Sequence, residues 1–402
     1  MIHQNRRGIF NRQYRVFLLC LLFGVIAIVS YANQMPAKVP DGDVDYRYFT
    51  IVSTVTYENR NTHGVSWQLT KDEKELGLFM NNSWQTVYLL NASYSVNSFE
   101  VDEDDNSVAF IEFPQSAIQP GENLTFTIFY KVALKPRLLS GISVNASESL
   151  AEIPQSLIAT YCRAGGSWQP NNSAISALAA EIAADKTNVL EILLDFVAWI
   201  KQNIVYGTLD VPRYPNETFL QHTGDCDDQA NLLISLCRAA GIPAYLQVGC
   251  IYMPGTHATS SYWNGQWIST LTRIGWHGWA MVYVPPWGWL PVDLTYAPGN
   301  ELDPLNSIIN SAIIIQPTAQ YCNITVTDYV LSSRAWRDFI ISEEFYIQTH
   351  DTMIDDSSME QNSQQFSGVQ IKFSVLLIRM TCLPSCWLNI ISSFCSNYWF
   401  SA

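Results

Sequence analysis

The stretch GDCDDQANLLISLC, from Gly224 to Cys237, places a cysteine between aspartates at the start of an apolar, periodic segment. The apolar residues recur at helical spacing up to Gly241, so the pattern predicts a helix that begins at or near Cys226. A helix N-terminus lowers the pKa of a thiol, because its unpaired N–H groups favour negative charge. The aspartates after the cysteine oppose a thiolate. We therefore expect a histidine partner that activates the thiol.

Two histidines compete for this role. His257 lies in the turn-like stretch MPGTHATSSYWNG, where nothing nearby would orient its ring. His277 opens the predicted strand WHGWAMVYVP, and GWLPVDLTY supplies Asp293 on the next predicted strand. The letters PPWG between the two form a turn, so the strands are expected to pair and the carboxylate to face the imidazole. The sequence favours His277.

These three motifs, in this order, resemble the transglutaminase-like superfamily. The resemblance covers roughly residues 175–296 and includes PNETFLQHTGDCDDQANLL around the cysteine. In particular the chain is similar to the membrane-anchored archaeal and bacterial branch, which has an extracellular β-sandwich ahead of the core. One departure is Gly278, where the family often has a larger residue.

The resemblance implies a papain-like core with a Cys-His-Asp triad. Cys226 would be the nucleophile, His277 the general base and then acid, and Asp293 the residue that orients the imidazole ring. The backbone N–H of Cys226 would help to stabilise the oxyanion. Tyr206, in QNIVYG, occupies the place of an aromatic residue that lies near this oxyanion site in the family, although a role as a core tyrosine is an open alternative.

Composition limits the remaining classes of function. The 402 residues are 48% apolar and 13% aromatic, which is typical of folded domains rather than of disordered chains. A formal net charge of −14 argues against nucleic acid as a partner, because phosphate binding needs clustered Lys and Arg. No set of His and Cys stands at metal-ligand spacing, so no metal or other cofactor is expected. The nine cysteines define no disulfide framework, although Cys162, Cys250 and Cys322 could contribute to one, and Cys237 is expected in the core.

The N-terminal region, 1–35, has the layout of an exported N-terminus. Several arginines precede the uncharged run from Val16 to Ala32, which is typical of either an uncleaved signal anchor or a cleaved signal peptide. We favour the anchor, which would attach the chain to a cell membrane with its body outside, whereas cleavage would release it. Sequons of the Asn-x-Ser/Thr type support an extracellular glycoprotein. They begin at Asn81, Asn91, Asn123, Asn145, Asn171, Asn216 and Asn323.

Patterning along the chain predicts an α+β protein: a papain-like transglutaminase core of helices and antiparallel sheet, preceded by an all-β sandwich domain. We assign the sandwich to 45–134, a linker to 135–172, the transglutaminase-like catalytic domain to 173–350, and a C-terminal tail of unknown structure to 351–402. The tail is apolar and could be a packed hairpin or a membrane-dipping segment. The acidic stretch from Asp102 to Asn106 is interpreted as an exposed hairpin tip rather than a calcium site.

The leading hypothesis is an extracytoplasmic thiol enzyme that acts on the amide bonds of a protein or peptide substrate through a Cys acyl-enzyme. Hydrolysis and acyl transfer share this intermediate, so cysteine peptidase and transglutaminase-like acyltransferase both stay open, with a slight preference for the peptidase. An alternative from another class is a cell-surface binding or adhesion protein with an inactive core. An amidase acting on glycopeptide or cell-wall linkages is a third possibility.

Overall fold

The computed structural model describes residues 46–297 and 303–356, together with the backbone of 369 and 370. The N-terminal segment predicted to be an anchor lies outside the described residues. So does the predicted tail from 357 onward, apart from those two backbone positions. Within the described ranges, no helix is both long and apolar enough to cross a membrane.

The strands account for most of the regular structure. They are β1 (Arg47–Asn59), β2 (Trp67–Gln68), β3 (Glu75–Gly77), β4 (Gln85–Ala92), β5 (Val96–Val101), β6 (Ser107–Ile111), β7 (Ala117–Ile118), β8 (Asn123–Leu134), β9 (Val205–Tyr206), β10 (Thr223–Gly224), β11 (Ala244–Tyr262), β12 (Trp267–Val284), β13 (Gly288–Val292), β14 (Thr318–Ile324), β15 (Phe345–Asp355) and β16 (Val369–Gln370).

The helices are concentrated in the second half of the chain, and short 3-10 turns occur at Val144–Ala146, Leu150–Glu152 and Trp263–Gly265. The α-helices are α1 (Lys71–Lys74), α2 (Gln155–Tyr161), α3 (Ser173–Ala183), α4 (Val189–Asn203), α5 (Pro215–Gln221), α6 (Cys226–Ala239), α7 (Asn306–Ile309), α8 (Ala312–Ile315) and α9 (Tyr329–Ser342).

One large curled sheet joins the N-terminal strands to the core. Its order is β14-β11-β12-β15-β1-β8-β4-β16, with β13 paired to β12. Its pairs are antiparallel except for β12 with β15, which is parallel. The α+β class is therefore confirmed. The boundary predicted between the β-sandwich and the core falls within this continuous sheet, because β1 pairs with β15 from Phe49 to Asn59. The predicted domain limits themselves stay a prediction.

The N-terminal region is rich in strands, as its alternating pattern predicts. Its strands β1, β4 and β8 belong to the large sheet, and β3, β5 and β6 form a separate three-stranded sheet. The inward residues of β1 alternate strictly with its outward residues, and Phe49 and Ile51 are nearly inaccessible to solvent. This period-2 burial is the physical basis of the sequence signal.

Helices α3, α4, α5 and α6 lie together, and α6 packs against β11 and β12. Helix α6 is the central element, because its residues from Asp228 to Arg238 are all buried. Helix α4 is capped by Asn188, whose side chain accepts the Glu191 N–H at 3.0 Å. An Asn side chain before the first turn satisfies an N–H group that has no partner within the helix.

The acidic stretch from Asp102 to Asn106 forms the tip of the β5–β6 hairpin, as predicted, but only Glu103 and Asp105 are exposed, so the expectation of an exposed tip holds in part. Asp104 is 5% exposed, and its Oδ1 accepts the backbone N–H groups of Thr325 and Val326, each at 2.7 Å, and of Thr327 at 3.3 Å. A carboxylate offers several lone pairs, which suits a loop that presents consecutive unpaired N–H groups. The hairpin thus docks on the loop that leads into α9.

The predicted sequons differ in exposure. Five of the asparagines are exposed: Asn81, Asn91, Asn123, Asn145 and Asn171. Asn216 and Asn323 are only half-exposed, and Thr218 of the Asn216 sequon is fully buried. The Asn323 side chain is engaged as well, since its Oδ1 accepts from the Gln247 amide at 2.8 Å. Engagement alone does not separate the two groups, because Asn81 Oδ1 also accepts the Val87 N–H at 2.7 Å, so exposure is what favours the five positions.

Candidate active site

Cys226 is the first residue of α6, as the sequence predicts, and its side chain is half-buried. The helix start is organised by Asp228, whose carboxylate accepts the Asp225 N–H at 3.4 Å and the Arg213 N–H at 2.6 Å. Opposite α6, the pairing of β9 with β10 sets Tyr206 beside Gly224, two residues before the cysteine. The backbone of Tyr206 therefore lies close to the helix start, and its role at an oxyanion stays a prediction.

His277 lies on β12 and is 2% exposed. Its Nε2 is 2.8 Å from Oδ2 of Asp293, which directly follows β13 and is 1% exposed. The structure thus brings together the histidine and the carboxylate that the strand-pair argument predicted. The Pro-Pro-Trp-Gly turn joins the two strands, which pair from Ala280 with Val292 to Val284 with Gly288.

The Asp293 carboxylate is held by backbone as well as by the imidazole. Its Oδ1 accepts the N–H groups of Thr295 at 3.2 Å and Tyr296 at 2.9 Å, and its Oδ2 accepts the Ala312 N–H at 3.2 Å. These backbone groups all donate, so they fix the orientation of the carboxylate. Asp293 therefore accepts at both oxygens, and the Nε2 of His277 is the donor between them.

Two glycines allow the close approach of helix and strands. A Cβ on Gly278 would stand 3.3 Å from the Cβ of Asp227 on α6. A Cβ on Gly249, which pairs with His277, would meet the Ala319 carbonyl oxygen at 2.4 Å. The departure from the family pattern at Gly278 therefore has a packing reason. A larger residue there would require Asp227 to move by a few tenths of an ångström.

The thiol is electrostatically disfavoured as an anion. Burial raises the pKa of Cys226 well above its usual value, and the carboxylates of Asp227 and Asp225 raise it further. A hydrogen bond from the Gly278 backbone N–H lowers the pKa of Cys226. Because Gly278 follows His277 in the chain, this bond places the sulfur beside the backbone of the histidine strand. A helix start by itself would lower the pKa of this thiol, whereas burial and the aspartates, which the sequence indicated would oppose a thiolate, raise it.

His257 lies outside this constellation. It belongs to β11, which extends to Tyr262 through the stretch predicted to be a turn, and it is exposed. Across the sheet His257 pairs with Thr272, which lies five residues before His277 on β12, so the two histidines are about 17 Å apart along the strands at the usual rise per residue. Its Nδ1 contacts the Thr272 hydroxyl at 3.1 Å. The turn prediction failed because alternating Thr and Ser residues there pair with the first half of β12.

The remaining cysteines of the described part of the chain are free thiols. Cys237, Cys250 and Cys322 are buried, and burial raises the pKa of Cys162, which is half-buried, to about 11. A disulfide among Cys162, Cys250 and Cys322 is therefore not formed. Trp267, Trp276 and Trp279 are buried in the sheet.

Metal coordination has one geometric candidate among the described residues. The donor atoms of Asp225, Cys226 and Asp227 lie within 4.8 Å of one another. The three residues are consecutive at the helix start, which is enough to explain their closeness. The two aspartates flank the cysteine, so this group is part of the thiol site already described.

Sequence reasoning missed two contributors to this site. Tyr329 donates a hydrogen bond from its hydroxyl to Oδ2 of Asp227 at 2.8 Å, across 102 residues of chain. The Ala312 N–H reaches Asp293 in the same way, from a short helix after the core strands. Neither residue has a local pattern that points to the site, because both contacts depend on how distant segments fold back.

The strand-borne His–Asp pair, packed against a helix that begins with cysteine, defines a papain-like thiol site in an α+β fold. Residues 176–294 match the family model of the transglutaminase-like superfamily, Transglut_core. This part of the chain is therefore a transglutaminase-like core, and the resemblance seen in the sequence is confirmed at that level. The membrane-anchored, archaeal and bacterial subtype stays a prediction.

Comparisons over the whole chain are more distant. No curated protein matches the chain significantly. A candidate cysteine protease from Cytophaga hutchinsonii is 16% identical with a TM-score of 0.44, covering 86% of this chain and 96% of its own. The periplasmic domain of TgpA from Pseudomonas aeruginosa is 16% identical with a TM-score of 0.30, covering 65% and 91%. A candidate protease from Parabacteroides distasonis is 10% identical with a TM-score of 0.24, covering 70% and 68%.

Proposed function

We propose that the protein is a thiol enzyme that acts on peptide or amide bonds through an acyl-enzyme on Cys226. The observation that carries the proposal is the buried contact between His277 Nε2 and Asp293 Oδ2, 2.8 Å long, because His277 lies on β12, against which the cysteine helix packs. A buried, oriented imidazole next to a protonated thiol is the arrangement that nucleophilic catalysis by cysteine needs.

In the first half-reaction, Nδ1 of His277 takes the proton of the Cys226 thiol as the sulfur attacks the carbonyl carbon. The π electrons of the carbonyl move to its oxygen, and the N–H groups at the start of α6 stabilise that oxyanion. Tyr206 is proposed as a second contributor there. The C–N bond then breaks, the leaving amine takes the proton from His277, and a thioester on Cys226 is left.

In the second half-reaction, His277 takes a proton from the acyl acceptor as the acceptor attacks the thioester carbon. The C–S bond breaks, and the sulfur recovers its proton from the imidazolium. If the acceptor is water, the enzyme is a peptidase. If the acceptor is a primary amine, the enzyme is an acyltransferase. Asp293 keeps the imidazole in the required tautomer in both cases.

The experiment uses the full chain with a peptide library and a labelled primary amine, and mass spectrometry identifies the products. Shortened peptides would establish peptidase activity, and peptides that carry the amine would establish transfer. Deamidation of glutamine alone would restrict the activity to side chains and contradict peptide-bond cleavage. Cys226→Ala is the matched control and is expected to give none of these products. If the wild-type protein also gives none of these products, the enzyme proposal fails and the hypothesis of a surface-binding protein is favoured.

We also propose that the body of the protein lies outside the cytoplasm, attached through its N-terminal apolar segment or released from it. The charged-then-apolar N-terminal pattern supports this, as do the exposed asparagines of five sequons. Protease protection of the intact cell-bound protein tests the proposal. Resistance to added protease until the cells are lysed would contradict it.

A further inference from the structure

Tyr329 comes from beyond the matched core and lies beside the nucleophile. It is the first residue of α9 and is fully buried, and its hydroxyl is 2.8 Å from Oδ2 of Asp227. Asp227 directly follows Cys226 on α6 and is half-buried. A residue of a separate helix is thus in direct contact with the acidic neighbour of the thiol.

The direction of this hydrogen bond is set by a third residue. Asn231, one turn along α6 from Asp227, donates from Nδ2 to the Tyr329 oxygen. An amide nitrogen only donates, so the tyrosine oxygen accepts there and its own proton points to Asp227. Burial and the charges of Asp227 and Asp228 raise the pKa of Tyr329 far above its usual value. The hydroxyl therefore remains a donor throughout the working pH range.

Asp227 is also the charged neighbour that most opposes ionisation of the thiol. The donor atoms of Asp225, Cys226 and Asp227 lie within 4.8 Å of one another. After burial, the carboxylate of Asp227 is the largest cause of the raised pKa of Cys226, and Asp225 follows.

The other groups that face the thiol come from the histidine and aspartate strands. His277 and the Gly278 N–H belong to β12, and Asp293 follows β13 and makes a smaller contribution that also raises the pKa of Cys226. On the far side of the helix start, Arg213 donates its backbone N–H to Asp228. Of these groups, Asp227 is the one that accepts a hydrogen bond from the Tyr329 hydroxyl.

We propose that Tyr329 is a positioning residue: by donating to Asp227 it draws that negative charge away from the sulfur and so sets the pH at which Cys226 becomes reactive. A hydrogen bond to a carboxylate spreads its charge and holds its orientation. The proposal rests on the proposed role of Cys226 as nucleophile. It concerns the thiol itself, however, and can be tested without a substrate.

The test is the pH dependence of iodoacetamide alkylation at Cys226, followed by peptide mass spectrometry. In Tyr329→Phe the Asp227 carboxylate loses the hydroxyl donor and keeps only its side-chain hydrogen bond with Asp225, so more of its charge acts on the sulfur. The apparent pKa of the thiol should rise by about half a unit, so alkylation at neutral pH slows about threefold. Tyr130→Phe is the matched control, because it removes a buried tyrosine hydroxyl that donates to the Gly77 carbonyl at 3.2 Å. We expect wild-type alkylation in this control.

A second variant separates positioning from structural support. Asp227→Asn removes the charge and should lower the apparent pKa of the thiol. Adding Tyr329→Phe to Asp227→Asn should then have no further effect, because no charge is left to hold. The proposal is overturned if Tyr329→Phe shifts the profile equally in both backgrounds, or in neither. Should Tyr329→Phe fail to fold, an unchanged profile in Asp227→Asn alone overturns it.

These outcomes are independent of the proposed enzymatic activity. If the alkylation profiles behave as expected but no amide substrate is turned over, the proposed function fails while the positioning role stands. If wild type turns over peptides but Tyr329→Phe leaves the alkylation profile unchanged, the positioning role fails alone.

Discussion

At the scale of single residues, the proposed reactivity of Cys226 depends on its histidine partner rather than on its helix. Burial and the neighbouring aspartates raise the pKa of the thiol, so in the proposed mechanism it becomes nucleophilic only as His277 takes its proton. This differs from a cysteine that rests as a thiolate. Selective chemistry at Cys226 must then come from access and from the adjacent imidazole.

Replacing Cys226 with alanine should abolish acyl transfer and change the thermal midpoint by no more than about 2 °C. The residue is half-buried at the first position of α6, so little packing is lost. In wild type, iodoacetamide should modify Cys226 before Cys237, which is fully buried. Faster labelling of Cys237 or of Cys162 would refute the assignment of the nucleophile. Peptide mapping of the alkylated protein provides the measurement.

His277→Ala should reduce kcat/KM by about 100-fold to 10,000-fold, because general acid–base catalysis typically contributes this much. His257→Ala is the matched control and should keep nearly wild-type activity. The His257 side chain is exposed, and its ring hydrogen-bonds the Thr272 hydroxyl. The assay is hydrolysis of a peptide ester. A large loss in the His257 variant together with a small one in His277→Ala would overturn the strand-pair argument.

At the scale of elements, the hairpin from Asp102 to Asn106 ties the N-terminal strands to the loop before α9. Asp104 accepts N–H groups of that loop, and the Asn106 side chain exchanges hydrogen bonds with the backbone of Asn323 at 2.7 and 2.8 Å. The same loop leads to Tyr329, which contacts Asp227. The hairpin therefore supports the helix that reaches the nucleophile.

Asp102 should make the stability of this region depend on pH. Burial raises the pKa of Asp102 to about 7, above its usual value near 4, so the folded state holds a proton that the unfolded state has lost between these two pKa values. This contribution to the free energy of unfolding is present below pH 4 and is lost as the pH rises to about 7. Relative to Asp102→Asn, wild type should lose roughly 1 to 2 kcal/mol across this range.

Urea unfolding of wild type and Asp102→Asn, at several pH values between those two pKa values, measures the difference. Because every other titrating group is shared by the two proteins, the difference isolates Asp102. A constant difference at all pH values would contradict a raised pKa, and a difference that grows in favour of wild type would reverse its sign.

At the scale of the whole molecule, the transglutaminase-like core shares its β-sheet with strands of the N-terminal region. Strand β15 is held between β12 of the core and β1 of the N-terminal region, and the described residues all belong to one compact unit. Removing β1 would expose the edge of β15 along eleven residue pairs, from Phe49–Asp355 to Asn59–Phe345. An unpaired hydrophobic edge favours aggregation.

A fragment that begins at residue 135 should therefore fail to fold stably, although it contains the entire matched core. We expect it to be insoluble, or to show no cooperative thermal transition by circular dichroism. Co-expression with a fragment of 46–134 should restore soluble protein if the strand pairing is the cause. A soluble fragment with the thermal midpoint of the full chain would show instead that the core is an independent domain.

Much of the site was accessible from the sequence because its signals are local. The helix beginning at Cys226, the turn between the two core strands, and the pairing of His277 with Asp293 all follow from periodicity and turn residues within a short stretch of chain. The alternating pattern of β1 likewise predicted a half-buried strand. Each of these signals lies within a short stretch of chain, and a single sequence shows directly which residues are neighbours along the chain.

The sequence by itself determined the α+β class, the elements of the core and the three residues of the candidate triad. Only the tertiary structure decided that β1 joins the core sheet, that Asp104 is buried against the loop before α9, and that Tyr329 holds Asp227. It also decided that the thiol is disfavoured as an anion. The physical reason is common to all four: burial and long-range pairing depend on which distant segments come together, and no local period encodes that choice.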